Sequence, residues 1–256
     1  MKTSFILTPY FLDHPEPDLE SVAESVWTVN RTALRLPDGT TEERLVTLYQ
    51  PLVDFVAEAA AAGDRPVSVA GDCVTSLAVL AGLQRAGVAP TLIWFDSHGD
   101  FNTPETTPSG FLGGMPLAMA VGRGEQTIVE GVGLDPIPEK KLILTDARDL
   151  DPGEREAVQG SAVRHLPQVE TLLEMALPAG PLYVHFDCDV LDPAEVPAVH
   201  YPATGGPSAE TLRRVFRRLA QTERVVAVSL SSWAPELDED GESARTVMGV
   251  LGVLLK

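Results

Sequence analysis

The sequence predicts an α/β fold of three layers, with a mostly parallel sheet between two layers of helices. Two observations carry this reading. Short apolar runs of strand length alternate with longer stretches of helical spacing along the whole chain, and this alternation is the signature of a parallel sheet covered on both faces. Two of the apolar runs, Leu92-Ile93-Trp94-Phe95 and Leu182-Tyr183-Val184, lead directly into clusters of carboxylates. With 256 residues, 44% of them hydrophobic, residues 1–256 are expected to form one domain with one large core.

In chain order, Ser4 to Leu7 reads as the first strand. Asp13-His14-Pro15-Glu16-Pro17 reads as a loop, because proline fixes the backbone and lacks a donor, and His14 is expected at the surface. Leu45, Leu48, Leu52, Phe55, Val56 and Ala59 recur at helical spacing, with Thr40 and Glu43 as a capping box and Gly63 as a stop. Pro51 should split or kink this helix. Val67 to Ala70 is a strand, followed by Gly71-Asp72-Cys73 and a helix from Thr75 to Arg85. The strand at Leu92, a helix from Met115 to Val121, the strand Leu142-Ile143-Leu144, a helix around Val169 to Met175 and the strand at Val184 continue the alternation. Ser208 caps a helix with Leu212, Val215, Phe216 and Leu219 on its apolar face. Val225 to Leu230 is the last strand, and Val247, Met248, Leu251, Leu254 and Leu255 stripe a final helix.

The formal net charge of −18 argues against nucleic acid or an anionic membrane as partner, since both select basic surfaces. No apolar run is long enough to span a membrane and the N-terminus lacks the features of a secretory leader, so a cytoplasmic location is expected. Cys73 and Cys188 are too few for a disulfide framework.

Asp96-Ser97-His98-Gly99-Asp100 follows its apolar run at once. Alternate residues of a strand face the same way, so Asp96, His98 and Asp100 can converge. The second run delivers Asp187 and Asp189 at the same spacing. Parallel strands would set both groups side by side at the carboxyl edge of the sheet, where open α/β sheets bind ligands. Four carboxylates in a small volume repel one another unless cations lie among them. An oxygen-rich site with an imidazole suits manganese, magnesium or a similar ion, and two such ions sharing carboxylates form a hydrolytic centre.

From Val67 to about Pro235, these motifs resemble the arginase, agmatinase and formimidoylglutamase family of manganese ureohydrolases. The family's Gly-Asp-His, Asp-Ala-His-x-Asp and Asp-x-Asp-x-x-Asp-Pro segments stand here as Gly71-Asp72-Cys73, Asp96-Ser97-His98-Gly99-Asp100 and Asp187-Cys188-Asp189-Val190-Leu191-Asp192-Pro193. The resemblance implies an arginase-like fold and two Mn2+ ions. Asp96 and Asp187 would bridge them, Asp100 would complete one, and His98 and Asp189 the other. Asp100 also counts among the catalytic candidates, since with Asp96 and Asp187 it surrounds an open metal position. Cys73 replaces the family's histidine at the first ion. A thiolate can serve there if the metal lowers its pKa, and it would favour zinc relative to manganese; the alternative is a small buried hydrophobe.

The resemblance extends to substrate recognition. Asn102, Thr107 and Ser109 match the arginase loop that binds the α-carboxylate, and Asp151 and Glu154 match acidic residues facing the α-amino group, so an amino acid is the expected small-molecule partner. Gly113, however, stands where arginases hold a proton-shuttling histidine. Ser232 stands where they hold a glutamate facing the guanidinium. A glycine cannot protonate a leaving amine, and a serine cannot offset a full positive charge. The pattern resembles the branch that hydrolyses Nω-hydroxy-L-arginine to hydroxyurea and ornithine in antibiotic biosynthesis. His200 and Tyr201 follow the second metal motif and are candidates for proton transfer, with an exposed loop histidine as the alternative for His200. His185 lies deeper on the Asp187 strand, packed or behind the ligands, and His165 has no functional context. Arginase, agmatinase or formimidoylglutamase activity, and a non-catalytic amino-acid-binding relative that keeps its metals, remain the competing readings. Because the chain stops soon after Pro235, short of the tail through which arginases trimerise, a monomer or weak dimer is expected.

Overall fold

The computed structural model of the chain describes residues 1–31, 36 and 38–256. In order, its elements are β1 (Thr3–Thr8), β2 (Tyr10–Phe11), β3 (His14–Pro15), β4 (Thr28–Val29), α1 (Thr41–Ala61), β5 (Arg65–Ala70), α2 (Ser76–Arg85), β6 (Thr91–His98), α3 (Pro116–Ala120), α4 (Thr127–Val132), β7 (Leu142–Asp149), α5 (Pro152–Gln159), β8 (Arg164–Leu166), α6 (Thr171–Glu174), β9 (Leu182–Asp187), α7 (Ala209–Ala220), β10 (Val225–Ser231) and α8 (Glu242–Leu254). β2 and β3 pair antiparallel with each other. The other strands form an eight-stranded sheet in the order β4-β1-β5-β10-β9-β6-β7-β8, every pairing of which is parallel.

The apolar run of β6 shows why such a sheet is covered twice. Leu92 and Trp94 enter the core beneath α1 and α2, while Ile93 and Phe95, pointing the other way, enter the core beneath α7 and α8. All four are completely buried. Helix α1 opens with the expected capping box, in which Thr40 Oγ1 accepts from Glu43 N and Glu43 returns a bond to Thr40 N, and Gly63 follows its end at φ 76°. The split expected at Pro51 is absent, and a single helix runs through it. Leu45, Leu48, Leu52 and Val56 are fully buried on either side of Pro51. At about 1.5–3 kcal/mol for each large side chain, their burial exceeds the roughly 3 kcal/mol cost of an internal proline. Ser208 caps α7 as predicted, accepting from Thr211 N at 3.1 Å.

Some elements differ from expectation. The helix expected around Val169 to Met175 is the single turn α6, and the short edge strand β8, with two polar residues among its three, carries too little apolar signal to be read. The Asp-Pro-Gly-Glu stretch opens a real helix, α5, capped by Asp151 and Glu154. Since the strands are parallel, β5, β6, β9 and β10 end at one edge of the sheet. Cys73, Asp96 to Asp100, Asp187 to Asp189, and Ser231 with Ser232 therefore meet there.

Candidate metal centre and substrate cleft

Each group reaches the edge through a local device. After β5, Asp72 caps a tight turn, accepting from Val74 N at 2.8 Å and Leu12 N at 2.7 Å, and so presents Cys73 inward. Asp96 is held by Trp94 Nε1–H at 3.0 Å and His98 N–H at 2.7 Å. Beyond β6 the backbone enters the left-handed region at Asp100, φ 51°, a conformation that costs energy outside glycine and persists where the surroundings enforce it. The Asp100 carbonyl accepts from Leu117 N and Ala118 N at the start of α3. Asp189 does not continue β9 as the alternation reading had it. The strand ends at Asp187, whose Oδ1 accepts from Asp189 N at 2.9 Å in a 3-10 turn.

Among the described residues, the donor atoms fall into two groups, each within 4.8 Å of one another: Cys73, Asp96, His185 and Asp187, and Asp96, His98 and Asp189. Asp96 belongs to both, as a bridging carboxylate must, whereas Asp187, the other expected bridge, belongs to the first alone. Cys73 Sγ is 2.6 Å from Asp187 Oδ2 and 3.9 Å from Asp96 Oδ2. His98 Nδ1 is 3.0 Å from Asp189 Oδ2 and 3.5 Å from Asp96 Oδ1. Asp100 belongs to neither group, but its Oδ2 is buried with no hydrogen-bond partner. Ser232, at φ 70°, donates its hydroxyl to Asp187 Oδ2.

The electrostatics ask for cations. Burial, then Asp189, pushes Asp96 up to about 6, and burial with neighbouring carboxylates pushes Asp100 and Asp187 well above the ordinary carboxylate range. Burial also lowers the basicity of His98, yet the hydrogen bonds and charges of Asp189 and Asp96 outweigh it and push the imidazole up to about 12. One imidazolium is less positive charge than four buried carboxylates require. Burial, followed by Asp187, Asp100 and Asp96, holds the Cys73 thiol well above its usual value, so a thiolate would need a metal beside it. An orphaned buried carboxylate oxygen, oxygen-rich donors and one shared aspartate fit a pair of divalent ions.

These groups form the floor of a cleft of about 460 Å³, within the usual range for small-molecule sites. Asn102, Thr107, Ser109, Asp151, Glu154, Ser232 and Tyr201 all line it. Asn102 Nδ2 donates to Asp151 at 3.0 Å, and Glu154 accepts from Phe101 N at 2.8 Å. Glu154 can approach because residue 99 is glycine; a Cβ there would lie 2.5 Å from Glu154 Oε1 and 2.4 Å from Leu150. His200 is not among the lining residues. It is tied to Glu236 and set edge-on to Phe11. Phe11 and Phe111, stacked with centroids 6.2 Å apart, form an aromatic wall with Tyr201 that was not foreseen from the sequence. A Cβ on Gly113 would lie 2.4 Å from Phe111 Cε1.

This fold, with its floor of carboxylates, defines the class of protein. The Arginase family profile matches residues 19–255, and the chain belongs to that family. It is a metal-dependent hydrolase that acts on C–N bonds of linear amidines. Among relatives, it is 35% identical over 252 residues to the N(omega)-hydroxy-L-arginine amidinohydrolase of Streptomyces lavendulae, covering 97% of this chain and 82% of that protein. It is 29% identical over 205 residues to the arginase of Bacillus caldovelox, covering 75% and 69%. The solved Bacillus caldovelox arginase shares the fold with a TM-score of 0.85 at 23% identity, covering 99% of this chain and 97% of that one. The Bacillus subtilis formimidoylglutamase does so with 0.74 at 15%, covering 100% and 86%. No helix among the described residues is long and apolar enough to cross a membrane.

Proposed function

We propose that the chain hydrolyses Nω-hydroxy-L-arginine to hydroxyurea and L-ornithine with two manganese ions. The observation that carries this reading is the pair of residues facing the cleft at positions 113 and 232. They are a glycine and a serine, and neither can neutralise a full cation or shuttle a proton. An electronegative N-hydroxyl lowers the basicity of a guanidino group, so it needs neither as much. The likeness to the Streptomyces lavendulae amidinohydrolase supports the same choice.

Cys73, Asp96, His98, Asp100, Asp187 and Asp189 would hold the ions, which when bound supply the charge that makes water a nucleophile at neutral pH and steadies the transition state. Everything else falls to the chain. Asn102, Thr107 and Ser109 orient the α-carboxylate, and Asp151 and Glu154 the α-ammonium group. Ser232 keeps Asp187 in place through its hydroxyl. Tyr201, 51% exposed and lining the cleft, would give a proton to the departing ornithine nitrogen; His200, bound to Glu236, is not among the lining residues. Products measured from purified, manganese-loaded protein with N-hydroxyarginine, arginine, agmatine and formimidoylglutamate test the reading. Release of none of ornithine, putrescine or glutamate, the amine products of these four substrates, would leave a binding protein.

Three expectations follow from single positions. Cys73→Ala should lose affinity for one ion, whereas Cys73→His should keep two and favour manganese more strongly. Metal analysis showing Cys73→Ala equal to wild type would make Cys73 a packing residue. Ser109→Ala should raise KM chiefly, by about ten- to over a hundredfold, because a hydrogen bond to a charged group is worth roughly 1.5–3 kcal/mol. An unchanged KM would remove Ser109 from the carboxylate. Gly113→His must displace the half-buried Phe111 ring, whose Cε1 would lie 2.4 Å from the new Cβ, and forcing a side chain off its rotamer costs about 0.5–1.5 kcal/mol. Its melting temperature should fall and recover in Gly113→His/Phe111→Ala; a single variant as stable as wild type would contradict this.

A further inference from the structure

Position 73 lacks the imidazole that its metal group would otherwise have, and a second imidazole stands beside it. A ring nitrogen of His185 lies within 4.8 Å of Cys73 Sγ and of carboxylate oxygens of Asp96 and Asp187. The ring is completely buried and is held on both sides of its function. It stacks on Trp94 with centroids 3.6 Å apart, and Trp94 also donates to Asp96. Nδ1 is 2.7 Å from Ser229 Oγ, which is in turn 2.7 Å from the Tyr183 hydroxyl. Nε2 faces the metal group, 3.3 Å from Ser231 Oγ. A metal-binding histidine usually fixes its second nitrogen by a hydrogen bond to a partner behind it, which sets tautomer and ring orientation; Ser229 is in position to be that partner.

We propose that His185 supplies from β9 the imidazole that position 73 lacks, so that Cys73 and His185 hold the first ion together with Asp96 and Asp187. The inference rests on the metal-pair reading above but concerns how the ions are held, not which substrate is cut. It explains why a fully buried histidine sits at the inner side of the carboxylates with one nitrogen anchored and the other aimed at them.

The test is calorimetric titration of the full-length chain, stripped of metal by chelation, with Mn2+ and with Co2+. The unaltered protein should bind two ions. His185→Gln should lose at least about tenfold in affinity for one ion and keep the other. His185→Gln equal to wild type would overturn the proposal. Should His185→Gln not fold, 15N-histidine-labelled wild type loaded with Co2+ should show hyperfine-shifted signals from two histidine rings, and a single shifted ring would overturn it. Wild type that binds no ions at all would instead defeat the metal-pair reading.

Discussion

Replacing either Asp96 or Asp187 by alanine should abolish hydrolysis and reduce bound metal together. Asp96 is the one residue shared by both groups of donor atoms, and Asp187 faces Cys73, Ser231 and Ser232 with a single oxygen while its other oxygen fixes Asp189. Loss of Asp96 leaves two cations repelling across a gap that a shared carboxylate would otherwise screen, and loss of Asp187 takes a carboxylate from the group around Cys73. A metal's contribution to transition-state stabilisation is several kcal/mol, so the fall in kcat/KM should be at least about a thousandfold at roughly 1.4 kcal/mol per tenfold. Asp187→Ala should also release the Asp189 turn, whose N–H loses its acceptor. Elemental analysis beside the activity assay checks this, and full metal content with full activity in either variant would remove the two-metal account.

The main strands and the ligand segments were legible because each is a local signal. A four-residue apolar run followed by Asp-Ser-His-Gly-Asp identifies both the strand and what stands at its end. Parallel pairing, inferred from the βα alternation, was enough to bring Asp96 and Asp187 to one edge. What stayed hidden depends on contacts between distant residues. The period of the β9 run gives no sign that it breaks into a 3-10 turn after Asp187, because that turn is set by the side chain of Asp187 bonding the Asp189 backbone. Phe11 comes from the ribbon at the start of the chain and meets Phe111 only in the folded molecule. The same holds for His200. Its place in sequence suggests the cleft, and the contacts with Glu236, far along the chain, and with Phe11 of the cleft wall could not be read from it. Pro51 failed as a helix breaker because its local penalty is outweighed by a buried stripe that only the tertiary structure completes.

Substrate choice carries the second large effect. Asn102, Thr107, Ser109, Asp151 and Glu154, which we propose to bind an α-amino acid, line the cleft beside a floor where Ser232 bonds Asp187 and a Cβ on Gly113 would meet Phe111. A guanidinium entering this cleft would find no carboxylate at position 232. The missing charged hydrogen bond is worth roughly 1.5–3 kcal/mol, or about ten- to over a hundredfold against arginine. N-hydroxyarginine, being less basic, gives up less by its absence. Agmatine keeps the basic group and lacks the carboxylate, so it should be the poorest of the three. Ser232→Glu should move preference back towards arginine.

The most direct test is kcat/KM for N-hydroxy-L-arginine and for L-arginine on the same manganese-loaded preparation. The account predicts a value at least about tenfold higher for the N-hydroxy substrate. An equal or higher value for arginine would contradict it.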